Sequence, residues 1–214
     1  MRVLPILFNT EMVQAIMDGR KTATRRTVKL PVNRYTGEVP KPENLTVHKN
    51  TLYSEKTSFS EKPFYCFEIK PPCHMGDILY IRETWAFLPC MDCTREGTDC
   101  GRSCVTYEDK DSISDGCFVY RAEHPTPDHV SWSPSIHMPK AAARIWLEVT
   151  GVRAERLQDI DDKGIVAEGL EIGAPFDELW DSTIKKSDRD RYGWNANPWV
   201  RVIEFKRCEK PKED

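Results

Sequence analysis

Val3–Arg26, VLPILFNTEMVQAIMDGRKTATRR, opens on an apolar run, passes through a polar pair into a helical pattern, and ends in a cluster of cations. Val3 to Phe8 has the character of a strand. Asn9-Thr10 then supplies an N-cap for the segment Glu11–Met17, in which Val13, Ile16 and Met17 fall on one helical face. Gly19 ends that helix. The octet that follows, Gly19-Arg20-Lys21-Thr22-Ala23-Thr24-Arg25-Arg26, sets a lysine and two hydroxyls among three arginines. A helix end needs at most a glycine and one cation for its dipole. Four cations so close together are costly unless an anion or solvent offsets them. The octet therefore reads either as a site or as a solvated basic turn.

Outward from this stretch the chain is strand-rich. Met75-Gly76-Asp77 is a turn that launches Ile78 to Trp85 as a strand, Gly116 to Ala122 is another, and Ala143 to Val152 is a long β-rich run suited to crossing a core. Ser131 to Pro139 is a proline-punctuated loop. Helices are expected from about Asp161 to Gly169 and from Pro175 to about Ile184, and Trp199 to Phe205 closes the chain as a strand with Val200 and Val202 inward. Residues 29–75 are rich in Pro, Lys and Thr and read as an insertion holding at most a hairpin around Phe64 to Ile69; residues 88–116 form a second insertion. No internal repeat is visible. The expectation is one α+β domain over residues 1–214, a small mixed β-barrel with short flanking helices.

The chain has 214 residues with 31 basic and 34 acidic side chains, a formal net charge of -3. Bulk electrostatic coating of nucleic acid is excluded by that balance, so any nucleic-acid contact must be local. The apolar run at the N-terminus is too short for a signal peptide, and no stretch approaches the roughly 20 apolar residues of a membrane span. A cytoplasmic protein without membrane contact is expected.

In that compartment the eight cysteines read as thiols or metal ligands more readily than as disulfides. Cys90-x2-Cys93 and Cys100-x3-Cys104 form a compact set in CMDCTREGTDCGRSC, a stretch with almost no apolar residue to organise it. Four thiolates around a structural zinc would supply the missing organisation. The alternatives are four reduced thiols, or a site completed by Cys117 or Cys73. A closed thiolate shell leaves no open position, so no cofactor for catalysis is expected.

Several ordered motifs, GRKTATRR after a strand and helix, GDILYIRETW (76–85), RLQDID (156–161) and WVRVIEFKR (199–207), resemble the ASCH family, most closely its phage-associated branch. The resemblance covers residues 1–28, 76–88, 140–170 and 197–207. It implies a PUA-like barrel, a chain of a bacterial host or phage, and a cleft for a nucleoside, a modified base, RNA or single-stranded nucleic acid. One subgroup, the small bacterial 4-acetylcytidine amidohydrolases, uses a lysine, a threonine and a glutamate. By resemblance these fall on Lys21, Thr24 and Glu168, the last counted eleven residues from Leu157, with Glu171 the alternative.

The chemistry is coherent on its own terms. A threonine nucleophile needs a base, an oxyanion stabiliser and an acid for the leaving amine. Lys21 can be the base if burial or the neighbouring Arg20, Arg25 and Arg26 lower its pKa. Arg82, Glu83 and Trp85 complete the expected substrate-binding set, with Trp85 as the surface on which a base stacks; only one of Arg82 and Glu83 can face inward, where its charge must be paired. The reading is an amidohydrolase of an acylated cytosine nucleoside or related modified base. A non-catalytic RNA- or DNA-binding module, or a nuclease, is the alternative.

Overall fold

A computed structural model describes residues 1–30, 45–48, 51–56, 64–89, 105–109, 112–123 and 130–212. Strand β1 (Val3–Leu7) leads into helix α1 (Thr10–Met17), whose first turn is capped by Asn9: its side-chain oxygen accepts the Met12 N–H at 2.8 Å. The chain leaves α1 through Gly19, whose φ of +75° is the left-handed conformation that glycine adopts without steric cost. Strand β2 (Ala23–Thr27) follows at once and carries Thr24, Arg25 and Arg26.

Three strands come next, β3 (Leu45–His48), β4 (Thr51–Lys56) and β5 (Phe64–Ile69), and they form an antiparallel sheet of their own. This is more than the hairpin expected for residues 29–75. Leu45, Leu52 and Ile69 bury against Val28 and Ala154, and three apolar residues so far apart leave no local periodicity. Strands β6 (Ile78–Arg82), β7 (Trp85–Pro89), β8 (Val105–Asp109), β9 (Ser112–Tyr120) and β10 (Trp146–Arg156) then precede α2 (Asp162–Ala167), α3 (Phe176–Thr183), α4 (Arg189–Tyr192) and β11 (Trp199–Cys208). Ile78 to Trp85 is thus not one strand. At Glu83 the chain passes from one sheet to another, and β7, β9 and β8 make the third sheet.

The central sheet has the order β1-β6-β10-β11-β2, with β1 and β6 parallel and every other pair antiparallel. α1 lays Val13 and Ile16 against Leu79, Leu147, Val149 and Phe205 of this sheet, all buried. Burying such side chains contributes about 1.5–3 kcal/mol each. Among the described residues the sheet is open and does not close into the expected barrel. α1 carries the chain from edge strand β1 to edge strand β2, and a side chain rather than a ladder joins the edges: Arg26 Nη2 donates to the Leu7 carbonyl at 2.6 Å. No helix among the described residues is long and apolar enough to cross a membrane.

The turn before β6 is fastened to the N-terminus through Asp77. Its carboxylate accepts the Arg2 and His74 backbone N–H groups, both at 2.9 Å, and the Arg2 guanidinium Nε at 3.0 Å. The Arg2 side chain, then these amides, hold the Asp77 carboxyl well below the usual carboxylate range. A carboxyl depressed by folding contributes stability that is complete above its ordinary pKa and is lost as pH falls toward the folded value. Asp77→Asn is expected to lower the melting temperature at neutral pH and to flatten its fall through the acid range, read by thermal melts across that range.

Candidate active site

The turn out of α1 aims Lys21 into the protein. The backbone N–H groups of Arg20 and Lys21 both donate to the Ala15 carbonyl, at 2.9 and 3.0 Å, so the chain folds back tightly before β2. Lys21 then pairs with Glu168 in an isolated antiparallel bridge, and the Thr22 N–H donates to the Ala167 carbonyl at 2.8 Å. Glu168 is the C-cap of α2, a helix opened by Asp161, whose side chain accepts the Gly164 N–H at 2.8 Å. Gly169 makes the contact possible. Its φ is +89°, and a Cβ there would lie 2.9 Å from the Lys21 Cβ and 3.0 Å from the Ala15 Cβ.

Lys21 and Glu168 form a buried ion pair, 2% and 9% exposed. Lys21 Nζ donates to Glu168 Oε2 and, at 3.1 Å, to the Glu168 carbonyl. The other carboxylate oxygen, Oε1, accepts the Arg25 backbone N–H at 2.7 Å and Arg25 Nη1 at 3.3 Å. Arg25 turns its Nε to Glu155 Oε1, at 2.9 Å. The cations of the octet are therefore offset mainly by protein carboxylates. Arg26 stacks its guanidinium over Phe8, 5.1 Å from the ring centre, and Arg20 is the exposed member, paired with Asp18 at 2.8 Å. Burial pushes the Lys21 ammonium below its ordinary pKa; Glu168 opposes the shift, and the charges of Arg26 and Arg25 reinforce it.

Thr24, 2% exposed, lines a cavity of about 270 Å³ together with Arg20, Arg25, Arg26 and Glu168. α1 contributes Met12 and Ala15 to its wall, and α3 contributes Phe176, Leu179 and Trp180. α3 is held in place from behind. The Trp180 indole N–H donates to the Tyr192 carbonyl at 2.8 Å, and Trp194 meets Phe176 edge-on with ring centres 6.1 Å apart. A hydroxyl, a carboxylate and arginines thus line one cavity, and Lys21 lies behind its wall, bonded to the lining Glu168.

The structure gathers Arg20, Thr24, Arg25, Arg26 and Glu168 around this cavity, sets Lys21 behind it against Glu168, and places Glu171 on the exposed surface. Arg82, Glu83 and Trp85 do not line this cavity. Glu83, 1% exposed, accepts Arg144 Nε at 2.9 Å, and Arg144 lies 4.0 Å from the Tyr120 ring centre. Arg82 donates to the Ile136 carbonyl. Trp85, 7% exposed, packs into the third sheet against Phe118, with ring centres 5.7 Å apart. The aromatic side chains at this cavity are Phe176 and Trp180 instead. Their i, i+4 spacing on an acidic helix was the available signal. Glu155 was likewise missed, because a lone carboxylate in a strand carries no local mark. Cys90, Cys93, Cys100 and Cys104 lie outside the described residues, and among the described residues no group of three or more His, Cys, Asp or Glu side chains is placed to hold a metal ion. Comparisons with protein-family models, curated proteins and solved structures give no match.

Proposed function

We propose that this chain is an ASCH-type amidohydrolase that removes the acyl group from an acylated cytosine nucleoside or a related modified base. The observation that carries the reading is Glu168, whose carboxylate joins Lys21 Nζ to the Arg25 backbone amide at the wall of the cavity that Thr24 also lines. In its neutral form Lys21 takes the Thr24 hydroxyl proton as Thr24 Oγ1 bonds to the acyl carbon. Arg26, lining the same cavity, is the cation that faces the oxyanion. Collapse breaks the C–N bond, and the Lys21 ammonium returns its proton to the exocyclic nitrogen as the free base leaves. Water then cleaves the acyl-threonine ester with Lys21 again as base, and the carboxylic acid departs.

Lys21 and Arg25 are committed to Glu168 and Glu155, which leaves the octet poorly suited to gripping phosphates and speaks less for the nucleic-acid-binding and nuclease readings. The test is incubation with 4-acetylcytidine and a panel of acylated nucleosides, followed by chromatography. Cytidine and the free acid are expected; no product from any member overturns the reading. A structural zinc on Cys90, Cys93, Cys100 and Cys104 is proposed on their spacing alone, with about one zinc per chain expected by elemental analysis; metal-free protein with four reactive thiols would contradict it.

A further inference from the structure

The cavity beside Thr24 has two unlike walls. One carries Arg26, Arg20 and Glu168, charged groups suited to the polar edge of a base and its sugar. The other is α3, which presents Phe176, Leu179 and Trp180. The polar atoms on α3 nearest this wall are already bonded within the protein: the Trp180 indole N–H to the Tyr192 carbonyl at 2.8 Å, and the Thr183 hydroxyl to the Trp180 carbonyl at 2.7 Å. That wall offers a ligand the carbon surface of Phe176, Leu179 and Trp180, with these two side-chain donors already engaged. At about 270 Å³ the cavity falls just below the roughly 300–1,000 Å³ of sites for drug-sized ligands, which suits one base with its acyl group rather than a strand of nucleic acid.

We infer that the α3 wall is the acyl pocket and that it selects acyl groups larger than acetyl, aromatic or medium-chain aliphatic. This rests on the amidohydrolase reading. An acylated cytosine has one polar part, the ring with its sugar, and one apolar part, the acyl group, and the two walls match them one to one. An acetyl methyl reaches only part of the surface that Phe176, Leu179 and Trp180 present to the cavity, whereas a benzoyl or butyryl group covers more of it. Each added methylene in such a pocket changes kcat/KM by about tenfold or more. The wall belongs to residues 171–196, outside the stretches that carry the ASCH resemblance, so it is a feature of this chain rather than one the resemblance supplies.

The experiment compares kcat/KM for 4-acetyl-, 4-butyryl- and 4-benzoylcytidine in the wild type and in Leu179→Trp, a half-buried position on α3 whose enlargement narrows the pocket. A benzoyl-to-acetyl ratio of at least about tenfold is expected, falling about fivefold or more in Leu179→Trp. In parallel, calorimetry measures the binding of 4-benzoyl- and 4-acetylcytidine to Thr24→Val, which keeps the cavity and lacks the hydroxyl. Turnover of the acetyl compound with a ratio of one or less overturns the inference and leaves the amidohydrolase reading standing. Absence of any turnover with benzoylcytidine binding at least tenfold tighter overturns that reading and supports the pocket. Absence of turnover with equal binding, or none, overturns both.

Discussion

Thr24→Val is expected to lower kcat/KM for an acylated cytidine by on the order of 10³-fold or more while leaving the fold in place, and Lys21→Met to do the same in a less stable protein, since it leaves the buried Glu168 carboxylate with Arg25 alone. Valine keeps the β-branched shape of threonine and puts a methyl in place of the hydroxyl at this buried position. Methionine fills the volume of the lysine stem without a titratable nitrogen. The double variant should be no slower than the worse single one, because nucleophile and base act on the same proton and their losses do not add. Thr24→Ser should retain activity. Near wild-type turnover by Thr24→Val, with a native circular dichroism spectrum, would remove Thr24 from the reaction.

Glu168→Ala is expected to cost about 3–5 kcal/mol of stability, because it strands the Lys21 ammonium in the interior. It also leaves the Arg25 backbone amide without its acceptor. For a chain of this length that corresponds to a fall of roughly 6–20 °C in melting temperature. The cost comes from an uncompensated buried charge rather than from the worth of the pair itself. Lys21→Met combined with Glu168→Gln should therefore recover a large part of it, since glutamine still accepts the Arg25 N–H, the lysine charge is gone, and the Arg25 guanidinium keeps Glu155. Additive losses in the cycle of Lys21→Met, Glu168→Gln and the two combined would mean that the side chains act independently.

What was legible in the sequence is what was local. The Asn9 cap, the Gly19 stop and the strand-then-helix entry to the octet depend on neighbours a few residues apart, and the structure has each of them. The partners that offset the octet were not local. Glu168 was reached only by counting along a resemblance, and Glu155 lies 130 residues from Arg25. The octet's charge density called for counter-charge, and the anions that balance it are the protein's own carboxylates, which sequence distance hides.

Arg82, Glu83 and Trp85 went astray for a different reason. An apolar run that continues unbroken through Ile81 suggests a single strand, but the Glu83–Arg144 pair sits where the chain changes sheets. No propensity rule marks that break, because it is made by an arginine 61 residues away. The open central sheet is similar: an alternating pattern predicts strands and their faces, whereas closure depends on whether β1 and β2 meet, and here an Arg26 side chain spans them.

Lys21 as a buried base held by Glu168 is tested most directly by the pH dependence of kcat/KM in the wild type and in Glu168→Gln. Burial lowers the lysine pKa and the carboxylate partly restores it. The rate should therefore rise with pH along a limb whose midpoint lies below the ordinary lysine value, and removing the Glu168 charge should move that limb to lower pH. A limb that stays in place in Glu168→Gln, moves to higher pH, or is absent from the wild type would contradict the account.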